Sequence, residues 1–349
     1  MTGLLCGLLS GKQKISSIHR YLKSHHKKLC KWTDFESPKA ISDAQLRRIL
    51  QGLDWESFNS FMSSYFGISV EQTSDKEWIA IDGKELRGSI MTQDNGQKDK
   101  RGTTLLDAVS HDSCYVIAHS FFEGKKDSER TSVYELIEAK LQGRKVTFDA
   151  LHCVPKTLCF IEQKEGQYLV QVKGNQKELY EDLVKMPDYL PVIYNYKSID
   201  KGHGRIDERF YTCYNISEEY FAPRWAAANI KTLIKVQRKS SSLKTKEITH
   251  ETSYYIVNEG VSKKEKKKSK ALCQTVRKHW SVENHHQIRD VTLNEDRIRT
   301  PKGNATKFLA VARSWVINLY RKQKTNNFAK DIQNTNDNQN KIFKLFKIK

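Results

Sequence analysis

Nowhere in these 349 residues do eighteen or so apolar side chains follow one another, so no stretch of the sequence reads as a membrane span. Cysteine is scarce and unpaired in its pattern. The seven (Cys6, Cys30, Cys114, Cys153, Cys159, Cys213 and Cys273) are an odd number without a CxxC spacing, which speaks against a disulfide frame or a zinc site. Reduced thiols, and with them a cytoplasmic protein, are the expectation. The opening MTGLLCGLLSGKQK lacks a positively charged first region and its apolar run is short, so it is read as the first turns of a helix rather than an export signal. Acidic residues are in deficit: 41 Asp and Glu stand against 60 Lys and Arg, a formal charge of +19. A surplus of that size calls for an extended polyanion rather than a small metabolite, with nucleic acid ahead of an anionic membrane surface.

What is present is a chain 38% hydrophobic, enough to bury a large core. Up to about residue 70 the apolar positions recur at three to four, with Ser42 and Asp43 opening one helix and Gly67 ending another. From Trp78 the pattern changes to strands, at 78–82, 103–110 and 115–122, expected to form an antiparallel meander. A helix, a strand at 144–149, a short helix from Pro155 and a strand at 168–173 follow. Strand, strand, strand, helix, strand, helix, strand is the order of a ribonuclease-H-like domain, although other α/β folds share it. Residues 187–262 read as a β-rich insertion, KKEKKKSK at 263–270 as a mobile loop, 276–299 as one helical segment and 304–322 as an amphipathic helix capped by Asn304. The expected domains are an N-terminal helical domain over 1–74, a ribonuclease-H-like domain over 75–324, and a flexible basic tail over 325–349 with a short terminal helix.

Two buried strands, WIAIDGK and RKVTFDALH, each end in an acid, Asp82 and Asp149, where open α/β sheets place their chemistry. On the 276–299 segment, His279, Glu283, His286 and Asp290 are spaced four, three and four, so they share one helical edge. Asp82, Asp149 and Glu283 therefore suggest one three-carboxylate site. Hard oxygen donors of this kind suit magnesium, and two such ions can clamp the attacking and leaving oxygens of a phosphodiester. For any one acid the plainer reading is a solvated surface group. For His152, His285 and His286 it is hydrogen bonding around the site rather than ligation. Asp290 and Glu295 are expected to matter less to the chemistry than Glu283.

IDGKELRGS (81–89), VTFDALHC (146–153), YLVQVKGNQ (168–176), HGRIDER (203–209), HWSVENHH (279–286) and EDRIRT (295–300) resemble, in order, the blocks of the DDE transposases of the ISAs insertion-sequence family, which includes the H-repeat-associated proteins. The N-terminal SDAQLRRILQGLD (42–54) is similar to that family's associated domain. The resemblance implies a ribonuclease-H-like mixed sheet with flanking helices, with Asp82, Asp149 and Glu283 as catalytic, metal-binding acids. It implies two Mg2+ ions, for which Mn2+ can substitute, and double-stranded DNA as partner, both the element's terminal inverted repeats and the target. A homodimer holding two ends is expected, and no membrane. The implied reaction is cleavage at element ends followed by transfer of the freed 3′-hydroxyl. An inactive end-binding protein and a nuclease on the same fold are the alternatives. The chain departs from the wider class four residues before the catalytic Glu, where Arg is common and His279 stands, and seven after it, where Lys is common and Asp290 stands.

Overall fold

The structure is a computed structural model that describes residues 1–91, 101–123, 126–202, 204–300 and 303–346. The chain opens with five helices, α1 (Thr2–Leu9), α2 (Ile15–Ser24), α3 (His26–Thr33), α4 (Asp43–Gly52) and α5 (Trp55–Phe66). Ser42 caps α4 by accepting from the Gln45 amide, and α5 ends where Gly67 turns left-handed at φ 63°, a conformation glycine adopts without a Cβ penalty. Strands β1 (Trp78–Glu85), β2 (Thr104–Ser110) and β3 (Val116–Phe122) precede α6 (Lys126–Leu136), β4 (Lys145–Phe148), α7 (Pro155–Gln163), β5 (Gln167–Val172) and α8 (Lys177–Lys185). Then come β6 (Tyr194–Gly202), β7 (Arg205–Asn215), β8 (Thr232–Ser242) and β9 (Ile248–Val257), and five helices: α9 (Lys266–Lys278), α10 (Trp280–Gln287), α11 (Asn304–Lys322), α12 (Phe328–Asp337) and α13 (Lys341–Phe346). Among the described residues no helix is long and apolar enough to cross a membrane.

The chain divides into two units. One comprises residues 1–73, 83–132 and 281–349; the other comprises 74–82 and 133–280. In the second unit the strands lie in the order β1-β4-β5-β9-β8-β7-β6. β1, β4 and β5 are parallel, and from β5 onward every pairing is antiparallel. The parallel strands are buried runs such as Ile79, Ala80 and Ile81, as sheets covered on both faces require. β7, β8, β9 and α9 share a core of Tyr211, Cys213, Ile234, Val236, Val257, Leu272, Cys273 and Val276.

In the first unit β2 and β3 form an antiparallel pair, and α11 is the central helix. From Ala305 through Tyr320 only Lys307 is not buried, so this helix is enclosed on all sides rather than amphipathic. Phe308 packs on Phe58 of α5 at 4.7 Å, and Trp315 Nε1 donates to Asn59 at 2.9 Å. Asn318 both accepts from the Val116 amide and donates to its carbonyl, at 2.9 and 2.8 Å, continuing a strand's bonding with a side chain.

Four expectations are corrected. The cap of α11 is Gly303 and no side chain serves there, because Asn304 is already helical. Residues 266–270 are the first turns of α9, not a loop, since Ser269, Leu272, Cys273 and Val276 give that stretch a buried face. The 276–299 segment is not one helix: α9 stops at Lys278, α10 runs to Gln287, and Ile288–Thr292 widens into a π turn. Ahead of the expected short terminal helix, α13, the stretch read as a flexible link carries a second helix, α12, and Ile332, Ile342 and Leu345 are buried. His203 of the HGRIDER block lies outside the described residues.

Candidate active site

β1 and β4 run in parallel register, Trp78 beside Lys145, Ile79 beside Val146 and Ala80 beside Thr147. Two residues further on each chain stand Asp82 and Asp149. Equal offsets from a registered pair, with the two-residue alternation of strands, bring the two acids to one face of neighbouring strands about 4.8 Å apart, Asp82 in the second half of β1 and Asp149 directly after β4. Both are half-buried. Asp149 also accepts from the Leu151 amide at 2.9 Å, capping the short turn Ala150–His152, and Asn175 Nδ2 holds that turn by donating to the Ala150 carbonyl at 2.7 Å.

His279, at the end of α9, belongs to the same unit and faces the same strand. Its Nδ1 shares a hydrogen bond of 2.9 Å with the Thr147 hydroxyl. Burial pushes the imidazole down to about 4, against the pull of Asp82, so it is neutral at ordinary pH. Among the described residues its buried Nε2 has no hydrogen-bond partner. Where the wider class carries an arginine, this chain thus holds a desolvated neutral donor or acceptor near Asp82.

The donor set fits a hard divalent cation. Magnesium is commonly held by one or two carboxylates, its remaining positions being filled by water and by phosphate oxygens of the substrate. Asp82 and Asp149 supply two carboxylates on one face. Among the described residues no group of three or more His, Cys, Asp or Glu is gathered so as to hold an ion unaided.

Glu283 lies on α10 in the first unit, with its side chain exposed. What anchors that helix is a buried polar network the sequence reading missed. Asp107, on β2 and fully enclosed, accepts from His119 at 2.7 Å, His286 Nε2 at 3.1 Å and Arg289 Nη1 at 3.1 Å. Burial would raise the Asp107 carboxyl, but the bonds from His119 and His286 and the charge of Arg289 outweigh it and hold the group well below the usual carboxylate range. Arg289 also donates to both oxygens of Glu295, which Arg313 reaches at 3.0 Å. His286 therefore serves Asp107, while His285, equally enclosed, bonds Ser314. The signal for this network was an acid inside the apolar run LLDAV, where an unpartnered charge would be prohibitive. Asp290 is likewise committed: Lys84, buried at 7% exposure, pairs with it at 2.5 Å and with Asp296 at 3.0 Å. Where the wider class commonly carries a lysine, this chain has an acid paired with Lys84 of β1.

Comparison with known proteins gives this geometry its context. Residues 73–319 match the family model described as "Transposase DDE domain". The chain is 26% identical over 328 residues to "Putative transposase YncI" of Escherichia coli O157:H7, covering 91% of this chain and 80% of that protein. It is 27% identical over 337 residues to "Putative protein YbfL" of Escherichia coli K12, covering 91% and 82%. To "H repeat-associated putative transposase YhhI" of the same strain it is 26% identical over 340 residues, covering 92% and 83%. With the match spanning most of its length, the chain belongs to the DDE-domain transposases, DNA-processing enzymes that bind DNA and work with a divalent metal on a ribonuclease-H-like domain.

Proposed function

We propose that this protein cuts DNA at the ends of an insertion sequence and transfers the freed 3′-hydroxyl into target DNA, with Asp82, Asp149 and Glu283 as the catalytic acids and the ligands of two magnesium ions. The observation that carries the reading is the equal offset of Asp82 and Asp149, two residues beyond the registered pair Ala80 and Thr147 on neighbouring parallel strands. Glu283 enters on its place in HWSVENHH, within the span matched by the family model. When bound, two such ions supply Lewis-acid activation of an attacking oxygen and stabilisation of a leaving one. The protein's own share is positioning. The Leu151 amide fixes one oxygen of Asp149 and so orients the carboxylate. The neutral imidazole of His279, held by Thr147, stands near Asp82 without adding charge there. The N-terminal helical domain, residues 1–74, is assigned to contacts with the element ends. A homodimer is the expected working form, since two ends must be held together.

A labelled linear element end, a supercoiled acceptor plasmid and magnesium test the reading in one tube. Joined DNA is the expected product. Nicks without joining make the chain a nuclease on this fold, and binding with neither product makes it an end-binding protein without chemistry.

A further inference from the structure

The first unit contains an open cavity of about 360 Å³ between the start of α2 and the turn that carries Arg297. Lys14, Ser16, Arg47, Arg297 and Arg299 line it, four cations and a hydroxyl with no acid among the lining residues. Among the described residues only Arg47 of these four has a carboxylate partner, Asp43 at 2.7 Å, and Lys14, Arg297 and Arg299 pair with none. A chain that commits Arg289, Arg313 and Lys84 to acids leaves this group uncompensated.

The walls are held from behind. The Lys14 amide donates to the Ser17 hydroxyl at 3.1 Å, and that hydroxyl donates to the Lys14 carbonyl at 2.7 Å. Arg313 donates to the Gln13 carbonyl at 3.2 Å and to Glu295 at 3.0 Å, tying both sides of the cavity to one buried guanidinium. The Thr300 amide donates to the Gly88 carbonyl at 3.0 Å, and Gly88 is required there, since a Cβ would stand 2.0 Å from the Ile298 carbonyl oxygen. Like charges on a backbone this constrained repel one another, and an anion between them removes the repulsion without reorganising the protein. The amino end of α2 adds a partial positive charge of its own.

We infer that this cavity is a phosphate-binding site, and that it seats the backbone of duplex DNA. The inference rests on the DNA-processing reading for its ligand and on the cavity for its place. Guanidinium forks suit phosphate oxygens, and the exposure of all four cations suits a continuous polyanion better than an enclosed small ion.

The test uses the full chain, a fluorescent 30-base-pair duplex and fluorescence anisotropy from low to physiological salt, with pyrophosphate as the competing small anion. The triple variant Lys14→Gln, Arg297→Gln, Arg299→Gln should bind roughly tenfold more weakly near 0.1 M salt, its salt slope reduced by about one unit. Arg297→Lys with Arg299→Lys should keep most of the slope, and Asp43→Asn, which frees Arg47, should tighten binding. Melting temperatures close to the parent's establish that the variants are folded. A folded triple variant with parental affinity and slope overturns the cavity and leaves the DNA-processing reading standing. If the parent binds no duplex at all, the reading itself fails. A pyrophosphate-dependent rise in melting temperature that the triple variant loses would then reassign the cavity to a free phosphate ligand and overturn the DNA assignment.

Discussion

Arg289 reaches Glu295 with two parallel bonds, Nε to Oε2 at 2.7 Å and Nη2 to Oε1 at 2.8 Å, both side chains sealed from solvent. The bidentate fork is the strongest neutral-pH pairing available to these groups, and here it closes the chain's return after the π turn. The expectation that Glu295 would matter less than Glu283 therefore needs dividing. Glu295→Gln leaves two buried guanidinium groups short of a countercharge, a loss of about 3–5 kcal/mol. Urea denaturation should show that loss as a lower midpoint. Glu283→Gln, at an exposed position, should leave the midpoint within about 0.5 kcal/mol of the parent.

Acid should unfold the first unit early. His285 is enclosed and burial pushes it well below 6.5 in spite of Asp107, so the folded chain refuses a proton that the unfolded chain accepts. Asp107 is held below the usual carboxylate range, so there too the unfolded chain binds the proton first. In both cases the unfolded state carries more protons, and stability rises with pH. Stability should be full above about pH 6.5, fall as His285 titrates in the unfolded chain, and fall again below about pH 4 as Asp107 does. Melting temperatures from pH 8 to pH 3 check this. Asp107→Asn should shrink the lower step, to which Glu295, also held low by Arg289 and Arg313, still contributes, and keep the upper one. A flat profile between pH 7 and pH 5 would show that His285 is not enclosed in solution.

Asp82 and Asp149 were legible because buried parallel strands read as unbroken apolar runs, and a carboxylate directly after such a run stands out, although β1 continues past Asp82 to Glu85. Helix ends were legible where capping chemistry is local, as at Ser42 and Gly67. The failures share one cause, tertiary context overriding a local signal. The Lys266–Lys270 run looks like a solvated loop until α9 is seen to bury the residues interleaved with it. β6, with the sequence YNYKSIDKG and mostly exposed, has almost no apolar alternation and owes its extended form to pairing with β7. Asp107 was passed over because its partners come from the paired strand, at His119, and from the distant stretch that carries His286 and Arg289, and no spacing rule joins the two.

The basic start of α9 has a mixed role. Lys268 pairs with Glu259 at 2.9 Å, which raises the lysine, whereas Lys266 and Lys267 are exposed at the amino end of the helix, where cations oppose the dipole. Replacing Lys266 and Lys267 with Gln should reduce the salt slope of DNA binding and leave thermal stability equal or slightly higher. Adding Lys268→Gln should cost stability without further change in slope. An unaltered slope in the double variant would make the run a solvated helix face with no part in DNA binding.

The sharpest prediction concerns the three acids. Asp82→Asn, Asp149→Asn and Glu283→Gln should each lower strand cutting by orders of magnitude, because each removes a charged oxygen donor from a site whose rate depends on metal-stabilised oxygens. DNA binding without metal should hold or tighten slightly, since a neutralised side chain no longer repels phosphate. Manganese should support cutting as magnesium does. Calcium, with its larger and looser shell, should support complex formation more than cutting. Asp290→Asn separates this site from its surroundings. Asp290 already answers to Lys84, and Lys84 keeps Asp296 when Asp290 is neutralised, so the variant should remain folded and lose far less activity than Glu283→Gln. Cutting assays on element-end DNA, read beside gel-shift affinity for each variant, decide the matter. If Asp290→Asn were inactive while Glu283→Gln still cut, the third acid would be Asp290 and the assignment of Glu283 would fall.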